Sequence, residues 1–488
     1  MVFSSVSFLF FFLPAVVLFS SVTKNIRIKN YILLVFSILF YTLGGGVHLF
    51  TLLVSVCINY VCGLLCGKKE AKHRRIVLSI GIVLNVLILF FYKYLGFFVE
   101  ILSIIFSFQN PQIKVLLPIG ISFYTFQGMS YLIDVYRTPE IKQKNFCYLL
   151  LYIMFFPQLI DGPIVRYSDI NKQFYNRDIT LDKFIYGLER FIIGLSKKVL
   201  IANVLSEVSS YIFGLNYAKY TCFYAWIASV SYALQIYYDF SGYSDMAIGL
   251  GSMFGFTFEE NFDYPYIASS FKEFWRRWHI SLSSWFRDYV YIPLGGNRKG
   301  KSRTIFNVLF VFFLTGLWHG ASWNFVLWGI INGVLVVLCD IRGSKKRENK
   351  FHNKLFSIVV CLIKHVLTLV GIIVLWLLFD RSNVFLQVVL KMFGINFTSL
   401  GIFIEPYQKF VNTPLLKELL SIEFWLSFCF GIFFCFPWKR KLQFIILQDE
   451  RVKIVCECTK YLILLVLLFF SVLSVANGAF NPFIYFRF

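Results

Sequence analysis

The feature that most constrains this 488-residue chain is the recurrence, along nearly its whole length, of apolar stretches separated by short polar or basic loops. A helix of about 20 such residues crosses ~30 Å of hydrocarbon and satisfies its own backbone hydrogen bonds, which lipid cannot do for it. The intervals between the stretches are too short for a soluble domain of ordinary size. Apolar side chains make up 58% of the chain, against roughly half in a soluble one. The expected fold class is therefore all-α: a polytopic helical bundle, multi-pass in the cell membrane and in contact with the lipid bilayer.

The net charge of +21 raises nucleic acid as a partner, but the positions of the charges argue against it. Lysine and arginine gather in short loops at Lys24 to Lys29, Lys68 to Arg75, Arg298 to Arg303, Arg342 to Lys350 and Lys439 to Lys441. Membrane orientation and anionic headgroups account for such clusters. Placing all of them on the cytoplasmic side predicts that both termini lie outside. The eleven cysteines are scattered, with no CxxC pair and no Cys/His cluster at zinc spacing, so no structural metal and no disulfide framework are expected. Val2 to Val22 lacks a basic start and a small-residue cleavage pattern, and reads as a retained first helix.

Three regions follow from this pattern: N-terminal transmembrane helices over 1–110, a central core over 111–345, and C-terminal helices over 346–488. The last contains an external segment at 380–421 and an aromatic tail at 476–488. In the core, Leu117 to Arg137 and Phe155 to Tyr167 carry Pro, Gly, Gln158 and Asp residues inside apolar sequence. Both predict broken or re-entrant helices, tolerated where they are buried against protein or line a wet cavity; kinked helices with snorkelling ends are the simpler alternative. Arg177, Lys183, Arg190, Lys197 and Lys198 predict a basic amphipathic region lying partly at the cytoplasmic surface. Tyr232 to Gly251 then puts Asp239, Ser241, Tyr243 and Asp245 into a membrane-like segment, where acidic groups need partners or water.

The centre of the chain is the stretch from Phe274 to Trp328. It sets His279 and His319 among Trp275, Trp278 and Trp318, with Gly316 and Gly320 opening backbone space beside His319 and Asn324 following. A histidine at membrane depth is costly to bury and points to chemistry or binding; the plainer reading is a core histidine donating to a carbonyl. The apolar hairpin Thr304 to Ile341 is bracketed by basic clusters, which places His319 at its deep end.

WRRWHISLSSWFRDYVYIPLGGN (Trp275 to Asn297) and LTGLWHGASWNFVLWG (Leu314 to Gly329) resemble the two signature regions of the membrane-bound O-acyltransferase family, most closely its bacterial alginate O-acetyltransferase branch. LPIGISFYTFQGMSYLIDVYR, FFPQLIDGPIVRY and YYDFSGYSDMAIGLG are similar to that branch too, so the resemblance covers most of the chain. Asp161 departs from it, standing where a small residue is expected. The resemblance implies a bundle with re-entrant segments around a central acyl-transfer tunnel. It implies transfer of an acetyl group from cytoplasmic acetyl-CoA, with no permanently bound cofactor, to a polysaccharide acceptor on the other face. A separate extracytoplasmic SGNH-like acyltransferase is the implied protein partner.

By the same resemblance His319 matches the family's general base and His279 its second polar position. An imidazole with an unperturbed pKa of about 6.5 can take a hydroxyl proton near neutral pH. His279, or backbone N–H groups beside glycine, would serve the thioester oxyanion; the sequence leaves the division of roles open. Trp275, Trp278, Trp318, Gln158, Asp239, Ser241, Tyr243, Asp245 and Asn324 are the candidates to line the tunnel. Tyr485, fourth from the end in FIYFRF, is a candidate acyl carrier, since a tyrosyl ester is an activated donor; an aromatic belt anchoring the last helix is the alternative. Two rival functions stand beside acetyl transfer. One is D-alanyl transfer to teichoic acid from a carrier-protein thioester, and the other is a transporter of a polysaccharide precursor or acyl donor.

Overall fold

The computed structural model describes residues 1–67, 71–109, 111, 113, 115–215, 221–344, 354–398, 401–404, 418–438 and 450–478. A π-helical turn at Phe8–Phe12 leads into α1 (Leu13–Ser21), α2 (Ile26–Gly45), α3 (Leu49–Cys66), α4 (Ala71–Leu89) and α5 (Leu95–Phe106). The helices form where β-branched and straight-chain apolar residues run without interruption, and they stop at identifiable signals. Asn25 caps α2 by accepting from the Arg27 N–H, and Gly44 to Gly46 turn the chain from α2 into α3. Phe3 and Phe8 at the very start are fully buried, so the N-terminal segment is packed into the bundle.

Among the described residues, five helical stretches are long and apolar enough to cross a membrane: Ile26–Cys66, His73–Phe106, Trp323–Asp340, Phe356–Asp380 and Arg451–Ala476. Their outward faces carry Phe, Leu, Ile and Val, a surface that suits lipid and that water would penalise. The all-helical membrane class is borne out. Two four-residue strands, β1 (Ile395–Thr398) and β2 (Gly401–Ile404), are the β structure among the described residues, paired antiparallel with Ile395 opposite Ile404.

The core is organised on a second set: α6 (Ile121–Arg137), α7 (Phe146–Met154), the short α8 (Tyr167–Ile170), α9 (Leu181–Ser196), α10 (Asn203–Phe213) and α11 (Cys222–Met253). Started by Thr221, whose side chain accepts from the Tyr224 N–H, α11 runs 32 residues and is buried along almost its full length. It can be so because α9 lies directly on it. A Cβ at Gly194 would come 2.5 Å from the Gly242 carbonyl oxygen, so the backbones touch through glycine.

The structure refines two expectations. The run from Leu117 to Arg137 breaks before its helix, at Pro118 to Gly120; Gln127, Gly128 and Asp134 then lie within an uninterrupted α6. Phe155 to Val165, by contrast, is non-helical and buried throughout, as irregular backbone in a membrane bundle is tolerated only when covered by protein. The basic region does not lie at the surface as a whole. Lys198 sits in the core and pairs with Asp239 at 2.7 Å, the two side chains being 1% and 5% exposed. Arg177 is buried as well, donating to the Phe254 carbonyl and to Asn30 Oδ1. Which of these cations turn inward is not visible in the sequence, because their acidic or carbonyl partners are distant along the chain.

After α11 come α12 (Phe271–Arg277), α13 (Ile280–Phe286), α14 (Lys301–His319), α15 (Trp323–Ser344), α16 (Lys354–Asp380) and the short α17 (Phe385–Met392), followed by helices Ile422–Phe433 and Glu450–Ala476. The final helix begins eleven residues before the apolar run at Tyr461. Its polar first turns are held by Lys460, which pairs with Glu457 at 2.8 Å and with Glu189 of α9 at 2.9 Å.

Candidate active site

The α14–α15 hairpin sets the site. A Cβ on Gly316 would lie 2.4 Å from the Phe325 carbonyl oxygen, and one on Gly329 would lie 2.4 Å from that of Phe312. Glycine at both positions lets the two helices meet backbone to backbone. His319 is the last residue of α14 and is 5% exposed. Trp318, Trp328 and Phe379 surround its ring at centroid distances of 4.9, 5.3 and 4.9 Å, all near-perpendicular. Such edge contacts hold the imidazole plane in one orientation.

A helix ends with carbonyls that have no partner in the helix itself. Two of those at the end of α14, on Leu317 and Trp318, are satisfied from the π-helical turn Phe90–Tyr94. Tyr94 donates its hydroxyl to the Leu317 carbonyl at 2.8 Å, and Lys93 Nζ donates to the Trp318 carbonyl at 2.5 Å and to Ser122 Oγ at 3.2 Å. The main chain just before His319 is therefore tied to α5's entry and, through Lys93, to Ser122 at the start of α6.

His279 occupies a left-handed backbone conformation, φ +45°, at the junction of α12 and α13. Non-glycine residues hold such angles where the surroundings over-determine them, and here Asn261 does so. Its carbonyl accepts from the Ile280 N–H, and its side-chain Oδ1 accepts from the Ser281 N–H at 3.2 Å and hydroxyl at 2.9 Å. Those contacts identify Oδ1 as the oxygen, so His279 Nδ1, 3.1 Å away, is the donor to it. In a neutral ring the other nitrogen then carries a lone pair and no proton. That Nε2 is buried with no hydrogen-bond partner among the described residues. Ser281 Oγ in turn accepts from the Ile164 N–H at 3.0 Å, tying this turn to the irregular segment after α7.

Trp318 joins the two histidines: its ring centroid is 5.8 Å from that of His279 and 4.9 Å from that of His319. A cavity of about 160 Å³ opens beside it, lined by Lys93, residues 117–123, Ile160, Asp161, Trp318 and His319. Its wall is mostly apolar, with Lys93, Ser122, Asp161 and His319 as its polar members. Such a space suits an acyl group and its thioester.

The other sequence candidates take different places. Trp275 Nε1 donates to Asn332 and its ring meets Trp328, while Trp278 packs on Phe274 and Trp376. Gln158 is fully buried, donating to the Tyr152 carbonyl at 2.5 Å. Asp239 is paired with Lys198, and Asp245 with Arg190 and Lys197. Tyr243 stacks on Phe3 at 4.6 Å, and the buried Ser241 hydroxyl has no hydrogen-bond partner among the described residues. Asn324 donates to the Phe379 carbonyl at 2.8 Å, at the end of α16. Tyr485 lies outside the described residues. Sequence reading passed over Lys93, Ser122 and Asn261. A signal existed for Lys93, a lone cation within an apolar run. Asn261 carried none, because its role depends on a turn that only the fold creates.

A family model for membrane-bound O-acyltransferases matches residues 136–379. The chain is 38% identical to the probable alginate O-acetylase AlgI of Pseudomonas putida over the full length of both. It is 34% identical to the peptidoglycan O-acetyltransferase of Helicobacter pylori, over 84% of this chain and 83% of that one. A teichoic acid D-alanyltransferase of Streptococcus thermophilus is 30% identical, over 54% of this chain and 67% of its own. With two histidines set on one tryptophan beside a cavity, and with matches of this extent, the chain belongs to the membrane-bound O-acyltransferase family.

Proposed function

We propose that this multi-pass membrane protein transfers an acetyl group from cytoplasmic acetyl-CoA, across the membrane, to hydroxyls of a cell-envelope or extracellular polysaccharide. The observation that carries the reading is the placement of His319 in the wall of the cavity, with His279 and His319 both against the Trp318 ring. Acyl transfer to a polysaccharide is also what the names of the alginate and peptidoglycan relatives describe.

In the reaction His319 takes the proton of the attacking hydroxyl while its oxygen bonds to the thioester carbonyl carbon and the carbonyl electron pair moves onto oxygen. Collapse reforms the carbonyl and breaks the C–S bond, and the departing thiolate takes the proton from His319. The first hydroxyl is that of Tyr485, which then passes the acetyl group to the polysaccharide or to an extracytoplasmic acyltransferase partner. This requires the C-terminal tail to face outside, as the basic loops indicate.

A second reading, D-alanyl transfer to teichoic acid from a carrier-protein thioester, has one observation in its favour. Asp161 sets a carboxylate in the cavity wall, where the ammonium of an aminoacyl group would pair with it. Against it stands the extent of the match, which spans both chains for the alginate relative and 54% of this chain for the D-alanyl one. The deciding experiment supplies purified protein in nanodiscs with labelled acetyl-CoA or with a D-alanyl carrier-protein thioester, for wild type and His319→Ala. CoA release by wild type that His319→Ala loses supports acetyl transfer. Consumption of the carrier thioester with acetyl-CoA untouched overturns it.

A further inference from the structure

We infer that Lys93 is a catalytic residue of this site, donating a hydrogen bond to the oxyanion that forms on the acyl carbonyl during transfer. The inference rests on the reading of His319 as the base. It begins from a need: a tetrahedral acyl-transfer intermediate places negative charge on the former carbonyl oxygen, and a preorganised donor there lowers the barrier.

His279 is poorly suited to that task. Its Nδ1–H is committed to Asn261 Oδ1, so in a neutral ring the free Nε2 accepts and does not donate. The backbone N–H that directly follows His319 does not supply it either: Gly320 N–H is turned back to the Gly316 carbonyl at 3.4 Å, where α14 ends.

Lys93 meets the requirement on three counts. It lines the cavity together with His319. Its Nζ is fixed by two hydrogen bonds, to the Trp318 carbonyl at 2.5 Å and to Ser122 Oγ at 3.2 Å, and lies 5.9 Å from the Trp318 ring centroid. An ammonium has three N–H donors, so one is left after these bonds. Finally, the residue sits on a π-helical turn between α4 and α5. Such turns insert an extra residue and re-aim side chains, and they recur at functional positions. The same contact that anchors Lys93 also fixes the carbonyl one residue before the base, so donor and base hold a set separation.

In the step itself the acceptor oxygen bonds to the acyl carbon and its proton goes to His319. The carbonyl pair moves onto oxygen, and Lys93 hydrogen-bonds that oxygen without giving up its proton. Collapse breaks the C–S bond and returns the proton from His319 to the thiolate, leaving Lys93 unchanged.

The test uses inverted membrane vesicles carrying the full-length protein and the cell's own envelope glycan, supplied with labelled acetyl-CoA, and counts base-labile acetyl ester on glycan. Lys93→Met keeps the stem without the donor, Lys93→Ala opens space for an added amine, and Tyr94→Phe removes the neighbouring carbonyl cap without touching the cavity. Folding of each is checked by detergent size exclusion. Lys93→Met is expected to lower kcat about 10²–10³-fold with KM little changed, the loss seen when one oxyanion donor is removed. Ethylammonium is expected to restore part of the rate to Lys93→Ala and none to His319→Ala. Lys93 variants that fold yet lose no more activity than Tyr94→Phe, or a Lys93→Ala rate that ethylammonium leaves unchanged, would overturn the assignment. Retained activity in His319→Ala would instead sink the reading of the base, and the two failures are told apart by which variant stays active.

Discussion

Asn261 Oδ1 lies 3.1 Å from His279 Nδ1 and accepts in addition from the N–H and hydroxyl of Ser281, so one amide oxygen holds the histidine, the start of α13 and, through Ser281, the Ile164 N–H. Replacing Asn261 by Leu leaves those donors buried without an acceptor. Each such loss costs about 1–3 kcal/mol, and the left-handed angle of His279 is no longer enforced. Asn261→Leu should lower both the melting temperature in detergent and acyl transfer. Activity and melting like those of wild type would show that the turn is held by packing alone.

The base assignment makes a separate prediction. His319→Ala should reduce transfer by about 10²–10⁴-fold, the usual share of a general base. Its ring touches aromatic neighbours on three sides, so His319→Phe is the better control for packing. A folded His319→Phe protein with wild-type CoA release would remove His319 from the chemistry.

The glycine crossing of α14 and α15 is also open to test. Gly316→Ala brings a Cβ to 2.4 Å from the Phe325 carbonyl oxygen, a backbone atom that cannot swing aside. The helices must separate, at a cost of roughly 1–3 kcal/mol, and His319 moves with α14. Thermal unfolding and CoA release should both fall. Retention of full activity would mean that the hairpin tolerates a wider crossing.

Lys198 and Asp239 form a pair buried from both sides. Removing one partner strands a charge and should cost about 3–5 kcal/mol, whereas replacing both by apolar residues of similar size is often near neutral. Lys198→Met alone should therefore melt well below wild type, with Lys198→Met/Asp239→Leu recovering most of the difference. If the double variant recovers its melting temperature while activity stays lost, the pair has a role beyond structure; if it melts as low as the single variant, the stranded charge is not what destabilises Lys198→Met.

The carrier proposal for the tail is tested by Tyr485→Phe. Covalent acetyl label on the protein should disappear, and transfer to glycan should be lost with it. Unchanged glycan acetylation would rule the carrier out and leave Tyr485 as an interfacial anchor.

Hydropathy was enough to place the chain in a membrane as a helical bundle, because lipid leaves a backbone few other choices. It also located the α14–α15 hairpin with His319 at its tip, since basic clusters bracket it. Motif chemistry singled out both histidines and the unusual Asp161. Tertiary structure decided what no local pattern encodes. It set Lys198 in the core against Asp239, 41 positions along the chain, and it brought Lys93 to the carbonyl of Trp318, 225 positions away. It kept α6 continuous past Gly128 and drew Trp275, Trp278, Asp245 and Asn324 into packing, ion pairing and carbonyl capping. The physical reason is the same in each case: a buried polar group takes whichever partner the packed helices bring within about 3 Å, and sequence spacing does not reveal that neighbour.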